Sequence, residues 1–209
     1  MKRIWLLMVV ILVISMCLPV SAAASGKYDF IYYHAKVYDS VLRRNLERAG
    51  ISQYYGNDTD VIIPSSYMGY DVIEISEYAF SGKDLKNITI PNSVIEIQEY
   101  AFYNNQLTNV TIPDSVKSIG SLAFASNALV EITIPDWFIY KDVASNSGLE
   151  TNAFNNNKIK TVNGESSNGL FLSRYGAVAS YGGEATVIDF IPNCYSIDSY
   201  AFSNCGITE

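Results

Sequence analysis

The stretch ITIPNSVIEIQEYAF, Ile88 to Phe102, returns 22 residues later as VTIPDSVKSIGSLAF, Val110 to Phe124. The apolar letters are kept and the polar ones vary. A unit this short cannot bury its own apolar side, so repetition at a period of roughly 20–50 residues implies stacked units sharing one core.

Aligning the chain on its Ala-Phe pairs extends the pattern to five copies: Ala79-Phe80, Ala101-Phe102, Ala123-Phe124, Ala153-Phe154 and Ala201-Phe202. Four residues before each Ala stands an aliphatic, Ile75, Ile97, Ile119, Leu149 and Ile197; five after each Phe stands another, Leu85, Leu107, Leu129, Ile159 and Ile207. Ile-Pro recurs at Ile63, Ile90, Ile112, Ile134 and Ile191. Each copy thus contains L-x-x-I-x-I-P. Its period-2 ending reads as a strand with one buried face, which the proline closes by removing a backbone donor. Stacking predicts one parallel sheet over a core in which Phe80, Phe102, Phe124, Phe154 and Phe202 lie one above another. Three residues past each Phe come Asn105, Asn127, Asn157 and Cys205, with Lys83 the exception. These predict a buried ladder that satisfies turn backbone groups, or else ordinary loop asparagines.

The first 24 residues are set apart as a secretory signal: Lys2 and Arg3, an apolar run from Ile4 to Leu18, Pro19, then Ser21-Ala22-Ala23-Ala24. Cys17 leaves lipid attachment as the alternative, although Met16 is larger than the small residue a lipobox has there. Without Lys2 and Arg3, 12 basic residues face 21 acidic ones, a formal −9. That charge excludes nucleic acid and anionic membranes as natural partners, and no membrane insertion is expected after signal cleavage. About 185 mature residues can bury a real core.

The string I-x-I-P-x-x-V-x-x-I-x-x-x-A-F-x-x-N/C-x-L resembles the BspA-like leucine-rich repeat of bacterial surface proteins. Tyr54 to Gly82 is similar to that family's opening repeat, and Asn168 to Gly183 to a small Gly- and Tyr-rich hairpin insertion. The resemblance implies a right-handed leucine-rich repeat solenoid with a parallel β-sheet over 54–209, carrying insertions near 136–150 and 163–185. It also implies the secreted or surface adhesins that members are described as. Residues 25–53 match no repeat. There YDFIYY reads as a strand and Lys36 to Gly50 as a helix, with Val37, Val41, Leu42 and Leu46 on one stripe and Gly50 as its stop. This predicts an α/β N-terminal cap.

Catalysis finds no support in the residues. His34, the single histidine, sits among tyrosines; no phosphate-binding glycine loop or G-x-S-x-G is present, and Asp58-Thr59-Asp60 is too little for a calcium loop. Two mature cysteines and one histidine cannot supply four zinc ligands, so no metal or cofactor is expected. Binding remains, to an extracellular protein or glycan. One candidate surface is the outer sheet face: Asn87, Thr89, Asn109, Thr111, Glu131 and Thr133. A second is aromatic: Tyr78, Tyr100, Tyr103 and Tyr200. A third consists of acidic columns, Glu74 over Glu96 and Glu77 over Glu99, able to take a cation or a basic partner. The alternative function is a structural spacer with no ligand of its own. Cys194 and Cys205 are expected as buried free thiols, half a coil apart. The break after Glu209, just past Ile207 of the next L-x-x-I-x-I-P, implies a continuing array or end-to-end self-association around Ile197, Phe202 and Ile207.

Overall fold

The chain enters the fold as a β-hairpin and not as the strand and helix expected. The structure, a computed structural model, describes residues 30–39, 44–135, 152–166, 170–172, 177–181 and 196–197. Strand β1 (Phe30–Asp39) pairs antiparallel with β2 (Arg44–Tyr54), from Phe30↔Tyr54 to Asp39↔Arg44, with a bulge at Ile31/Tyr32. Lys36 to Gly50 therefore spans parts of two strands, and no helix occurs among the described residues. The physical reason lies in the next coil. Its outer strand would have an unpaired edge, and β2 covers that edge in parallel, through Ala49↔Val72, Gly50↔Glu74 and Ile51↔Ile75. Tertiary pairing overrides a local helical stripe. Gly50 is no helix stop: a Cβ there would lie 2.3 Å from the Tyr33 ring, so glycine admits the cross-strand aromatic.

The first coil contains β3 (Asp60–Ile62), then a tight hairpin of β4 (Ser66–Tyr67) and β5 (Tyr70–Ile75) turning on Met68-Gly69. The second holds β6 (Asn87–Thr89) and β7 (Glu96–Ile97), the third β8 (Asn109–Thr111) and β9 (Ser118–Ile119), and the fourth opens with β10 (Glu131–Thr133). β11 (Thr161–Val162) pairs parallel to β10, and an Asn163-Gly164 turn leads to the antiparallel β12 (Glu165–Ser166). Within the second expected insertion, β13 (Leu170–Leu172) and β14 (Ala177–Tyr181) form an antiparallel hairpin, and β15 (Ser196–Ile197) pairs parallel to β14. Residues 136–150 of the other insertion, the signal segment, and Cys194, Tyr200, Phe202, Cys205 and Ile207 lie outside the described residues.

The strands make two parallel walls where one sheet was expected. The first carries the I-x-I-P strands, β3 with β6 and β8 with β10. The second is built from the short segment before each Ala-Phe, β5–β7–β9, in the register Ile75↔Ile97↔Ile119. The aliphatic four residues before each Ala was the signal for this wall; two residues are too few for period-2 alternation to reveal it. The Ala-Phe turn closes each coil and is bonded to the next, Phe80 N–H to Ala101 O at 2.8 Å and Phe102 N–H to Ala123 O at 2.7 Å.

Inside, Phe80, Phe102, Phe124 and Phe154 are fully buried and stack at centroid separations of 5.0, 4.9 and 5.3 Å. That is close to the ~4.8 Å spacing of adjacent strands. Tyr54 heads the column 5.4 Å from Phe80, with Phe30 of the cap 5.3 Å behind it. Beside the rings runs an asparagine ladder. Asn105 accepts from the N–H groups of Lys83 and Leu85 and donates to the Phe80 and Phe102 carbonyls. Asn127 accepts from Leu107 N–H and donates to Phe102 and Phe124; Asn157 repeats the arrangement with Leu129, Phe124 and Phe154. Each side chain thus ties its own turn to the one before it.

Candidate functional site

The outward positions of the two walls carry the candidate surfaces. On the first wall, Asn87, Thr89, Asn109, Thr111, Glu131 and Thr133 are all exposed, because each three-residue strand turns only its middle residue inward. Register aligns Asp60 with Asn87, Asn109 with Glu131, and Thr111 with Thr133. Asn87 Nδ2 donates to the Asp60 carboxylate, and Thr59 Oγ1 does so at 3.1 Å. These two bonds, in that order, hold the Asp60 carboxyl below its ordinary range. The result is a flat polar strip, with Ile62 exposed on β3 and Val130 just before β10, and no exposed aromatic on these strands among the described residues.

The second wall is chemically different. Tyr78 and Tyr100 stack face to face at 4.8 Å and 5°, and Tyr103 meets Tyr100 edge-on at 5.4 Å. Structure thus joins three of the four expected aromatics; Tyr200 lies outside the described residues. Both stacked tyrosines sit in the left-handed backbone region, φ 59° and 57°, as does Leu122 one coil later. For a residue with a Cβ this conformation costs roughly 1–2 kcal/mol. The sharp turn imposes it, since Ala79 N–H must reach Ser76 O and Ser81 N–H must reach Tyr78 O. The Tyr78 hydroxyl is pushed above its ordinary pKa by desolvation first, then by Tyr100, Glu77 and Glu99.

Next to the tyrosines lie the acidic columns. Glu74 and Glu96 are direct register partners, and the same slot in the third coil holds Ser118. Glu74 accepts hydrogen bonds from Tyr33 of the cap and from Gln98 Nε2, the latter at 2.7 Å. Gln98 Oε1 in turn accepts from Glu77 N–H. Tyr33 and Gln98 were not singled out from sequence. The available signal for Gln98 is its slot, which holds Ser76 one coil earlier and Gly120 one coil later. Gly120 is needed there, because a Cβ would lie 2.6 Å from the Glu99 backbone nitrogen.

Burial, and then the charge of Glu74, raise the Glu96 carboxyl above its ordinary pKa. The folded chain therefore holds that proton more tightly than the unfolded chain. The resulting penalty is fully present at neutral pH and is relieved as pH falls through the folded value toward 4.5, the ordinary glutamate value. Glu96→Gln is expected to raise Tm at pH 7 by about a degree or two, with the gain shrinking as the medium is acidified. Calorimetry at two pH values checks this; a gain that does not change with pH contradicts the assignment.

Exposed His34 packs edge-on to Tyr70 at 5.1 Å and lies 6.1 Å from Tyr67. Among the described residues no group of three or more His, Cys, Asp or Glu is placed to hold a metal. No helix among them is long and apolar enough to cross a membrane.

Comparison with known proteins agrees with this architecture. Among solved structures, a leucine-rich repeat protein from Eubacterium ventriosum ATCC 27560 is 22% identical with a TM-score of 0.51, over 70% of this chain and 39% of that one. A leucine rich cell surface protein from Faecalibacterium prausnitzii A2-165 is 23% identical with a TM-score of 0.45, over 90% of this chain and 53% of that one. The chain thus spans well under two thirds of either neighbour's length. No curated protein matches it. Residues 53–175 and 145–209 match the BspA type leucine rich repeat region (6 copies). With the stacked phenylalanines, the asparagine ladder and the parallel walls in place, the chain belongs to the BspA-type leucine-rich repeat family.

Proposed function

We propose that the protein is a secreted or cell-surface recognition module, without catalytic activity, that binds an extracellular protein or glycan through the wall bearing Tyr78, Tyr100 and Tyr103. The observation that carries this reading is the stacked tyrosine column. Tyrosine offers large contact area with a polar tip and is enriched in interfaces. Here Tyr78 is 46% exposed although the turn forces it into a strained backbone. The described strands of the sheet face carry no such anchor. Membership in a family with surface-exposed repeat proteins, and the leader-like first 24 residues, support an extracellular setting.

The test is capture of matrix glycoproteins and mucins, from a defined panel, by the immobilised secreted chain. Tyr78→Asn/Tyr100→Asn removes both rings while keeping a residue that tolerates left-handed φ. It is expected to weaken capture roughly tenfold or more, as loss of aromatic anchors does. Asn109→Ala/Thr111→Ala decides between the two surfaces. Loss of capture in that variant with the tyrosine variant intact overturns the assignment. Absence of any capture favours the spacer reading.

A further inference from the structure

We propose that the outer wall of the first two coils docks an extended, lysine- or arginine-rich segment of a partner protein. The cationic heads would meet Glu74, Glu77, Glu96 and Glu99, and the aliphatic stems would lie along the Tyr78–Tyr100 column. This rests on the recognition reading above and names the chemistry of its partner.

The charge and the aromatic surface coincide in space. Glu74 and Glu96 pair in register, while Glu77 and Glu99 each directly precede one of the stacked tyrosines, Tyr78 and Tyr100. In the third coil the equivalent slots hold Ser118, Ser121 and Leu122, so carboxylates and tyrosines coincide in the first two coils and both give way in the third. The core letters continue, and a tyrosine, Tyr200, returns with Ser196 and Ser199 in the carboxylate slots. Selection for folding alone concerns the core, and a boundary shared by two outward columns marks one patch.

Glu74 accepts from Tyr33 and Gln98, both neutral donors, and the salt bridge seen among the described residues, Lys36–Glu47, lies on the cap hairpin. Adjacent like charges repel, and an incoming cation relieves that repulsion.

The tyrosines select the kind of ligand. Tyr78 and Tyr100 cover each other's facing sides at 4.8 Å, and Tyr78 stays 46% exposed. A lysine stem can lie against that exposed ring while its ammonium reaches a carboxylate. An extended segment places alternate side chains on one side every ~7 Å, so two consecutive inward-facing lysines can each reach a different glutamate column. The net charge of −7 disfavours polyanionic ligands and a second copy of this chain at an acidic surface.

The experiment measures binding of two short labelled peptides to the secreted full chain by fluorescence anisotropy. One has lysine at every second position and the other glutamate there; labelled heparin and calcium chloride are run alongside. The lysine peptide is expected to bind, more weakly as salt is raised, and the glutamate peptide and heparin are not. Glu96→Gln/Glu99→Gln is expected to weaken lysine-peptide binding roughly tenfold or more without lowering Tm, and Asp114→Asn to leave it unchanged. Equal binding by the double glutamine variant, equal loss in Asp114→Asn, full competition by millimolar calcium, or binding of heparin in place of the peptide overturns the proposal. Matrix capture lost in the tyrosine variant but kept in the glutamine variant leaves the recognition reading standing and removes this one.

Discussion

Phe102→Ala is expected to cost about 3–5 kcal/mol, the range for deleting a buried aromatic ring that its surroundings cannot refill. Phe102 is fully buried and stacks on Phe80 at 5.0 Å and on Phe124 at 4.9 Å, so its loss opens the column from both sides. Backbone bonds at the turn, Phe80 N–H to Ala101 O and Phe102 N–H to Ala123 O, resist collapse of the coils into the gap. Tm should fall by roughly 10 °C. Because a solenoid is held together by nearest-neighbour contacts, the transition should also broaden as the coils on either side uncouple. Thermal unfolding followed by circular dichroism checks both; an unchanged Tm removes Phe102 from the core.

Asn105→Ala should cost about as much by another mechanism. The side chain accepts from Lys83 N–H at 3.0 Å and Leu85 N–H at 3.1 Å, and donates to the Phe80 and Phe102 carbonyls at 2.8 and 3.0 Å. Alanine takes this partner from Lys83 N–H, Leu85 N–H and Phe80 O, while Phe102 O keeps Asn127 Nδ2. Three groups toward the low end of about 1–3 kcal/mol each, because Lys83 N–H is only part-buried, give a total of roughly 3–5 kcal/mol. Asn105→Asp should be no better, since a carboxylate faces carbonyl oxygens and has no N–H to give. The neighbouring Asn104 is exposed with φ 55°, and Asn104→Ala should cost only about 1 kcal/mol for the left-handed backbone. Chemical denaturation of the three variants decides the matter. Equal losses at 104 and 105 would mean that the ladder contributes nothing beyond local turn preference.

The contrast between Asn104 and Asn105 also shows what can be read without coordinates. Spacing alone distinguished them, because the repeat keeps Asn105, Asn127 and Asn157 in one slot and places Gly82, Asn104, Ser126 and Asn156 in the next. The structure gives that second slot a common left-handed backbone. In the same way the repeated Phe and Ile-Pro letters reported the shared core and the first parallel wall. A repeat writes its constraints several times, and any position that must fit the coil above and the coil below keeps its residue type.

Features that occur once had no such redundancy. Lys36 to Gly50 carries a helical apolar stripe, yet β1 and β2 form strands because the open edge of β5 and the end of the Phe column must be covered. Gly50 is a seat for Tyr33, and Tyr54 heads the aromatic column; neither role follows from neighbouring letters. The tyrosines and glutamates before the first two Ala-Phe pairs were visible as columns. That Tyr78 and Tyr100 close on each other, and that Tyr33 and Gln98 converge on Glu74, was decided by side chains from separate segments meeting in space. Sequence alone determined the coil, because its period forces each unit to bury its apolar side against the next. Tertiary structure alone decided how the first coil is closed and which ring and carboxylate surfaces stay open, because both depend on contacts between segments far apart in the chain.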